Sequence, residues 1–338
     1  MRAVRWHARD DVRLDEVPIP VPTDTEVLIR IEGAGICGTD VDEVRKGPIT
    51  VPVTPHPVNG RSAPMTLGHE MVGIVVEAGA RSGIAVGARV APWPSAPCGR
   101  CPDCAAGHAN RCPLMVALGM SADGGMADFL VADGSGCVPV GPAVELDRAV
   151  LVEPFAVALH AVHQVDIAGA RVAVVGIGSV GLCVVEAAAL AGAGEVVAVS
   201  RSDIARQAAV AAGATAALPL DRAGEAGADV VFETAGARPA IDGSFAAVRR
   251  GGRIIVLGSH QGTTPTRLHD LVVREIVLQG SVSHCLADFA KAARSITAGE
   301  LARARRPAEL APFEAGPALL RTDAAQTKRI LVPDQAGR

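Results

Sequence analysis

At 338 residues, 49% of them apolar and 20% charged, the chain exceeds one ordinary core, which predicts two domains and excludes intrinsic disorder. Its formal charge of −4 offers no basic footprint for nucleic acid. Aromatic residues make up only 2% and tyrosine is absent, so Val, Ile, Leu and Ala must fill the interior.

Residues 1–10 lack the apolar run of a signal peptide. The longest weakly polar run, 172–185, is broken by glycine and shorter than the roughly 20 residues of a membrane span. The expectation is a cytoplasmic protein without a membrane partner. In such a reducing setting the eight cysteines point to metal ligation rather than disulfides.

Short alternating or β-branched runs at 2–6, 12–17 and 26–32, separated by Pro and Gly, predict strands, and 71–77, 89–91 and 126–131 continue the pattern. Together they predict a small, mostly antiparallel β domain. The stretch 47–64 is rich in Pro and polar residues and reads as a loop rimming a site. A helix over 153–165 links this domain to the next.

From Arg171 onward strands and helices alternate. Compact apolar runs at 172–175, 195–199, 229–232, 253–257 and 276–280 predict a buried parallel sheet. The helical stretches between them are 180–191, 203–212 and 239–249. This is an α/β, doubly wound arrangement of the Rossmann type. A helix over 286–297 leads into an Ala- and Arg-rich tail, and a last strand at 328–333 returns to the first domain. The expected division is 1–150 with 284–338 against 151–283.

The strongest motif is Cys98, Cys101, Cys104 and Cys112, spaced C-x2-C-x2-C-x7-C. Four thiolates on a tight loop can close a tetrahedral zinc shell, with Gly99, Pro102 and Gly107 supplying the turns. An iron–sulfur cluster, a disulfide pair, a zinc ribbon for nucleic acid or four unrelated thiols are the competing readings. Bacterial cluster spacing shortens the last gap to three residues, and a large acidic chain suits a ribbon poorly. Cys37, His69 and a carboxylate could hold a second zinc with a position open for chemistry. Each alone is more often a packed or hydrogen-bonded structural residue. The run His69-Glu70-Met-Val-Gly73 lacks the second His of a metalloprotease helix.

The strand at 172–175 runs into Gly176-Ile-Gly178-Ser179-Val180-Gly181, which opens a helix. In that context the first glycine makes the turn, the second admits a pyrophosphate, and the third lets helix and strand pack. The next strand ends in Ser200-Arg201, where an NAD-selective fold places an acid for the ribose hydroxyls. A serine leaves room for a 2′-phosphate and the guanidinium can pair with it, with Arg206 one turn on to assist. NADP is favoured over NAD, and a solvated surface Arg201 is the alternative. Cys137, Cys183 and Cys285 fall outside both clusters and read as packing.

With both zinc patterns and the cofactor turn in place, the chain resembles the zinc-dependent medium-chain dehydrogenase/reductase (alcohol dehydrogenase) family over nearly its full length. Leu151-Val-Glu153-Pro154-Phe155 is similar to the polyol and butanediol dehydrogenase branch, as are Gly47-Pro48-Ile49, Pro55-His56-Pro57 and Leu67-Gly-His69-Glu70. The resemblance implies a GroES-like catalytic domain beside the Rossmann domain, and a catalytic zinc held by Cys37, His69 and Glu153. It places Glu70 beside them, exchanging with water at the metal or supporting a ligand. Thr39 would bond the substrate oxygen and begin a proton relay. Asp42 stands where the family often has a relay His, so Asp42, His56 or water continues the path. The implied activity is oxidation of a secondary alcohol, diol or polyol, or reduction of the ketone, with two zinc ions per chain. A homodimer or homotetramer would pair through the strand in 275–283, whose apolar run leaves an edge that soluble proteins avoid. Two other readings are a zinc-free quinone or enoyl reductase, and a zinc-stabilised NADP-binding protein without turnover.

Overall fold

Alternation of apolar and polar side chains builds the first strands. The computed structural model describes residues 1–260, 262–301, 307–322 and 327–333. The described residues fall into two units, one drawn from 1–153, 285–298 and 307–333 and the other from 154–284 and 299–301. In β1 (Arg2–Ala8) Val4 and Trp6 point into the core while Arg5 and His7 stay partly exposed, the period-2 pattern of a half-buried strand. It pairs antiparallel with β2 (Asp11–Glu16). Next come the ten-residue β3 (Glu26–Gly35) and α1 (Gly38–Lys46). Cys37 is the N-cap of α1, and its N–H donates to Asp40 Oδ2 at 2.9 Å. Arg45 and Lys46 in the last turn suit the helix dipole.

β4 (Met65–Thr66) pairs with the free side of β1. β5 (Glu70–Ala78) runs antiparallel to β3, and β6 (Arg89–Pro92) to β5. β7 (Ser95–Ala96) and β8 (Val116–Ala117) form a ribbon that brackets the cysteine loop, which contains α2 (Pro102–Ala105). β9 (Phe129–Asp133) pairs with β3, and β10 (Cys137–Pro139) with β6. The strand expected over 126–131 starts late for a physical reason. Met126 N–H donates to Leu67 O at 2.9 Å and Met126 O accepts Val4 N–H at 2.8 Å, so it is bonded elsewhere before the β3 ladder begins.

After α3 (Leu146–Ala149) and α4 (Val152–His163) the grammar changes. β11 (Arg171–Val175), β12 (Glu195–Val199), β13 (Ala216–Leu218), β14 (Ala228–Glu233), β15 (Val248–Val256) and β16 (Val277–Gly280) make one sheet in the order β13-β12-β11-β14-β15-β16. Every pairing in it is parallel. Val172 to Val175 are fully buried, as strands covered on both faces require. The helices α5 (Ser179–Leu190), α6 (Asp203–Ala211), α7 (Arg238–Ala247) and α8 (Leu268–Arg274) complete the unit. The helix expected over 239–249 stops at Ala247, because Val248 joins the ladder opposite Ala228.

The chain then returns to the first unit through α9 (Leu286–Thr297), which buries Phe289, Ala292, Ala293 and Ile296 along one stripe. β17 (Ala308–Pro312), α10 (Gly316–Leu319) and β18 (Lys328–Val332) follow. β18 lies between β3 and β17, antiparallel to the first and parallel to the second. Residues 302–306 of the Ala- and Arg-rich tail lie outside the described residues. No helix among those described is long and apolar enough to cross a membrane.

Candidate metal centres and cofactor turn

Strand register assembles the first cluster. Gly35 of β3 lies opposite Glu70 of β5, so Cys37, two residues beyond β3, meets His69 and Glu70. One ligand atom from each of Cys37, His69 and Glu70 lies within 4.8 Å of the others. His69 and Glu70 are 4% and 1% exposed. A buried sulfur, imidazole and carboxylate converging this closely is a donor set that suits zinc.

Asp40 organises both ends of the set. One oxygen takes the Cys37 amide, and the other lies 3.5 Å from His69 Nδ1. That nitrogen is buried without a hydrogen-bond partner, while Nε2 lies 3.3 Å from Thr39 Oγ1. Burial pulls the His69 pKa down, but Asp40 and then Cys37 outweigh it and hold the imidazole well above its ordinary value.

Lys328 of β18 completes the pocket and was not anticipated. Its ammonium forms a buried ion pair with Glu70 and donates to Ile36 O at 3.2 Å. Burial lowers the Lys328 pKa, and Glu70 foremost raises it above the ordinary lysine value. A Cβ on Gly35 would meet Glu70 Oε2 at 2.5 Å and Lys328 Cε at 2.8 Å, so only glycine leaves space for this pair. The available signal was a lysine alternating with Ile330 on the buried face of a short strand.

Other expected residues stand apart. Glu153 occupies the first turn of α4 and does not join the cluster among the described residues. Asp42 pairs with Lys46 at 2.7 Å on the outer side of α1. His56 sits within the 47–64 loop, its Nδ1 accepting Val58 N–H at 3.4 Å.

Cys98, Cys101, Cys104 and Cys112 bring their sulfurs within 4.8 Å of one another as free thiols. The Cys98 N–H points at Cys112 Sγ (3.3 Å) and the Cys104 N–H at Cys101 Sγ (3.4 Å). The Arg100 and Cys101 amides pull the Cys98 pKa down to about 6, whereas desolvation and then Cys101 push Cys104 up to about 12. Crowded sulfurs that titrate in opposite directions need a cation for all four to be anionic. Cys137 and Cys183 are buried away from both clusters. Cys285 Sγ lies 3.0 Å from Asp288 Oδ2 at the start of α9.

The glycine turn follows the spacing argument atom by atom. Gly176 adopts φ +97°, a left-handed conformation that favours glycine. A Cβ on Gly178 would meet nothing within 4 Å, leaving open space above the α5 N-terminus, whereas one on Gly181 would strike Gly176 O at 2.0 Å. Ser179 and Val180 form the first turn of α5, where exposed N–H groups suit a pyrophosphate.

Ser200 and Arg201 follow β12, and Arg201 is exposed with no ion pair among the described residues. Arg206, expected to assist, is committed elsewhere. Its Nη1 donates to Ser200 O at 2.6 Å and its Nη2 pairs with Asp203, so it braces the turn. Sequence reasoning also passed over Glu233 and His260, at the carboxyl ends of β14 and β15. Buried Glu233 accepts the Ala235 and Gly236 amides at 2.8 and 3.0 Å and lies 2.9 Å from His260 Nε2. That sheet edge is where open α/β folds bind ligands.

Residues 23–142 match the alcohol dehydrogenase GroES-like domain, and residues 179–298 match the zinc-binding dehydrogenase domain. The chain is 32% identical to the (R,R)-butanediol dehydrogenase of Bacillus subtilis (strain 168), covering 84% of this chain and 85% of that one. It is 30% identical to the sorbitol dehydrogenase of the same organism, over 83% and 81% of the two chains. Among solved structures, a putative zinc-binding dehydrogenase from Sinorhizobium meliloti 1021 bound to NADP superposes with a TM-score of 0.87. The two are 30% identical, covering 98% of this chain and 99% of the other. With a GroES-like β unit, a parallel Rossmann sheet and these relatives, the chain belongs to the zinc-dependent medium-chain alcohol dehydrogenase family.

Proposed function

We propose that this zinc- and nicotinamide-dependent oxidoreductase interconverts a secondary alcohol, diol or polyol with its ketone, using NADP in preference to NAD. The buried convergence of Cys37, His69 and Glu70 carries the reading, supported by relatives that act on butanediol and sorbitol. The β unit, 1–150 with 284–338, would be catalytic, and 151–283 would bind the cofactor. Cys37 and His69 would hold a zinc together with a carboxylate, Glu153 from the start of α4 with the clustered Glu70 alongside or in its place; the metal would supply Lewis acidity toward a substrate oxygen and the nicotinamide a hydride acceptor.

The chain's own residues do the rest. Asp40 faces His69 Nδ1, which directs Nε2 toward ligation. Thr39, beside Nε2, would accept the hydrogen bond of the substrate hydroxyl and, as hydride leaves the carbon, take that proton while giving up its own hydroxyl proton to the next acceptor. Lys46 engages Asp42, so His56 or water carries that proton onward. A structural zinc fits the Cys98, Cys101, Cys104 and Cys112 loop.

We place the protein in the cytoplasm on its free thiols and infer a homodimer or homotetramer. β16 is the sheet edge, and Leu268, Val272, Val277 and Val282 expose apolar side chains there or nearby, which favours covering by a second copy. The deciding assay follows nicotinamide absorbance with butane-2,3-diol, sorbitol and the matching ketones, with each cofactor. Zinc-replete protein that turns over none of them would overturn the reading.

A further inference from the structure

We propose that Glu43 is a positioning residue for substrate: its buried carboxylate fixes the Ile49–Thr50 part of the 47–64 loop and thereby sets substrate affinity. The inference rests on the oxidoreductase reading above. α1 carries two carboxylates that are each only 2% exposed, Asp40 and Glu43, one turn apart on one face. Asp40 serves the metal cluster. Glu43 serves the loop.

Glu43 Oε1 accepts the Ile49 N–H at 2.9 Å, and Oε2 accepts the Thr50 N–H at 2.6 Å and the Thr50 hydroxyl at 2.8 Å. Its carbonyl takes the Trp6 indole N–H at 3.1 Å and the Gly47 N–H at 2.9 Å. A Cβ on Gly47 would strike that carbonyl at 2.2 Å and Oε1 at 2.6 Å, so glycine lets the chain fold back over the carboxylate. No cation appears among these partners; the carboxylate is met by directed N–H and O–H donors alone. Burying a charge is a costly way to gain stability alone. What it does achieve is orientation, because three donors converge on one rigid group.

Val51, the next residue, is 2% exposed within the β-unit core, so the segment is held from both sides. Ile49 and Val53 remain 38% and 59% exposed, apolar side chains on either side of this held segment. The loop's far end is held by neutral bonds, Asn59 Nδ2 donating to Ser121 O at 2.9 Å and Ala63 N–H to Pro52 O at 2.8 Å, and by one surface ion pair. Arg61 pairs with Asp123 at the surface, their side chains 55% and 38% exposed, a pairing of the kind that contributes little. The loop joins α1, which Cys37 caps and which carries Thr39, to the segment bearing His69, so its near end is tied to the placement of both.

The test uses zinc-loaded enzyme with Glu43→Gln, Glu43→Ala and Asp123→Asn. Glutamine keeps the shape but turns an amide N–H2 toward a donor, so it should behave like alanine. Amide hydrogen exchange at Ile49 and Thr50 should quicken by about tenfold or more in both Glu43 variants. KM for butane-2,3-diol should rise about tenfold while kcat changes by less than about threefold. Zinc content and NADP affinity should stay unchanged, and Asp123→Asn should match the wild type. If Glu43→Ala fails to fold, Thr50→Val, which removes one donor, replaces it and should give a smaller rise in KM. Unchanged exchange in Glu43→Gln, quickened exchange without a rise in KM, or equal losses in kcat and kcat/KM with zinc depletion would each overturn the proposal. A wild-type enzyme inert toward every alcohol would remove the oxidoreductase reading, while the exchange measurement would still judge the anchor.

Discussion

Arg201 and Arg206 share a sequence neighbourhood but have different surroundings. Arg201 is exposed and uncommitted, while Arg206 is held by Ser200 O and Asp203. Arg201→Asp should therefore lower kcat/KM for NADP roughly tenfold to a hundredfold and favour NAD. It removes a charge-assisted hydrogen bond worth about 1.5–3 kcal/mol. Arg206→Ala should act in the same direction but more weakly, by loosening the turn. Wild-type enzyme using NAD at least as well as NADP would defeat the argument. At the metal cluster, Lys328→Met leaves Glu70 buried without its cation. Breaking such a pair costs about 3–5 kcal/mol, and the double variant with Glu70→Gln should recover most of the loss in urea melts. An unchanged midpoint in Lys328→Met would mean that another partner takes up Glu70. Comparing Glu153→Ala with Glu70→Ala for zinc retention assigns the carboxylate ligand. Greater loss from Glu153→Ala is expected, and the reverse order would exchange the two roles.

The elements that sequence made legible were those with a strong local period or a backbone requirement. The Val-rich strands of the parallel sheet could be read directly, as could the glycine turn, because a buried strand and a left-handed residue each leave a local mark. Helix α1 was missed. Its short run Gly38–Lys46 is polar, it is closed by the reciprocal Cys37–Asp40 cap, and it buries two carboxylates, which look like loop chemistry in sequence. The metal cluster was legible only in its ligand types. Lys328 joins it from more than 250 residues away, and nothing local announces a contact set by β18 entering beside β3. The two cysteine elements should separate in function. Cys37→Ser should abolish turnover with the fold largely intact, whereas Cys104→Ser should halve the zinc content and lower thermal stability. Full activity in Cys37→Ser would dismiss the catalytic assignment.

For the whole molecule, metal analysis of protein purified without added zinc should give about two ions per chain. A ratio near one that persists in Cys98→Ser would remove the structural site. Light scattering at micromolar concentration should report a dimer or tetramer, and a monomer would leave the β16 edge without the proposed cover. The path of the chain has one more consequence. The β unit is left at Glu153 and re-entered at Cys285, with β18 slotting into the interior of its sheet. On the ribosome the Rossmann unit is therefore synthesised almost whole while its predecessor still lacks a central strand, and domains generally fold as units. Until Lys328 and Ile330 emerge, β3 lacks its partner at Ala34 and Gly35, although β9 already pairs with its start, and Glu70 has no counter-charge. β18 is thus made after the whole parallel sheet yet finishes the pocket around Glu70, and nascent chains stalled before it should acquire the dinucleotide fold first and the complete β unit only once β18 has emerged.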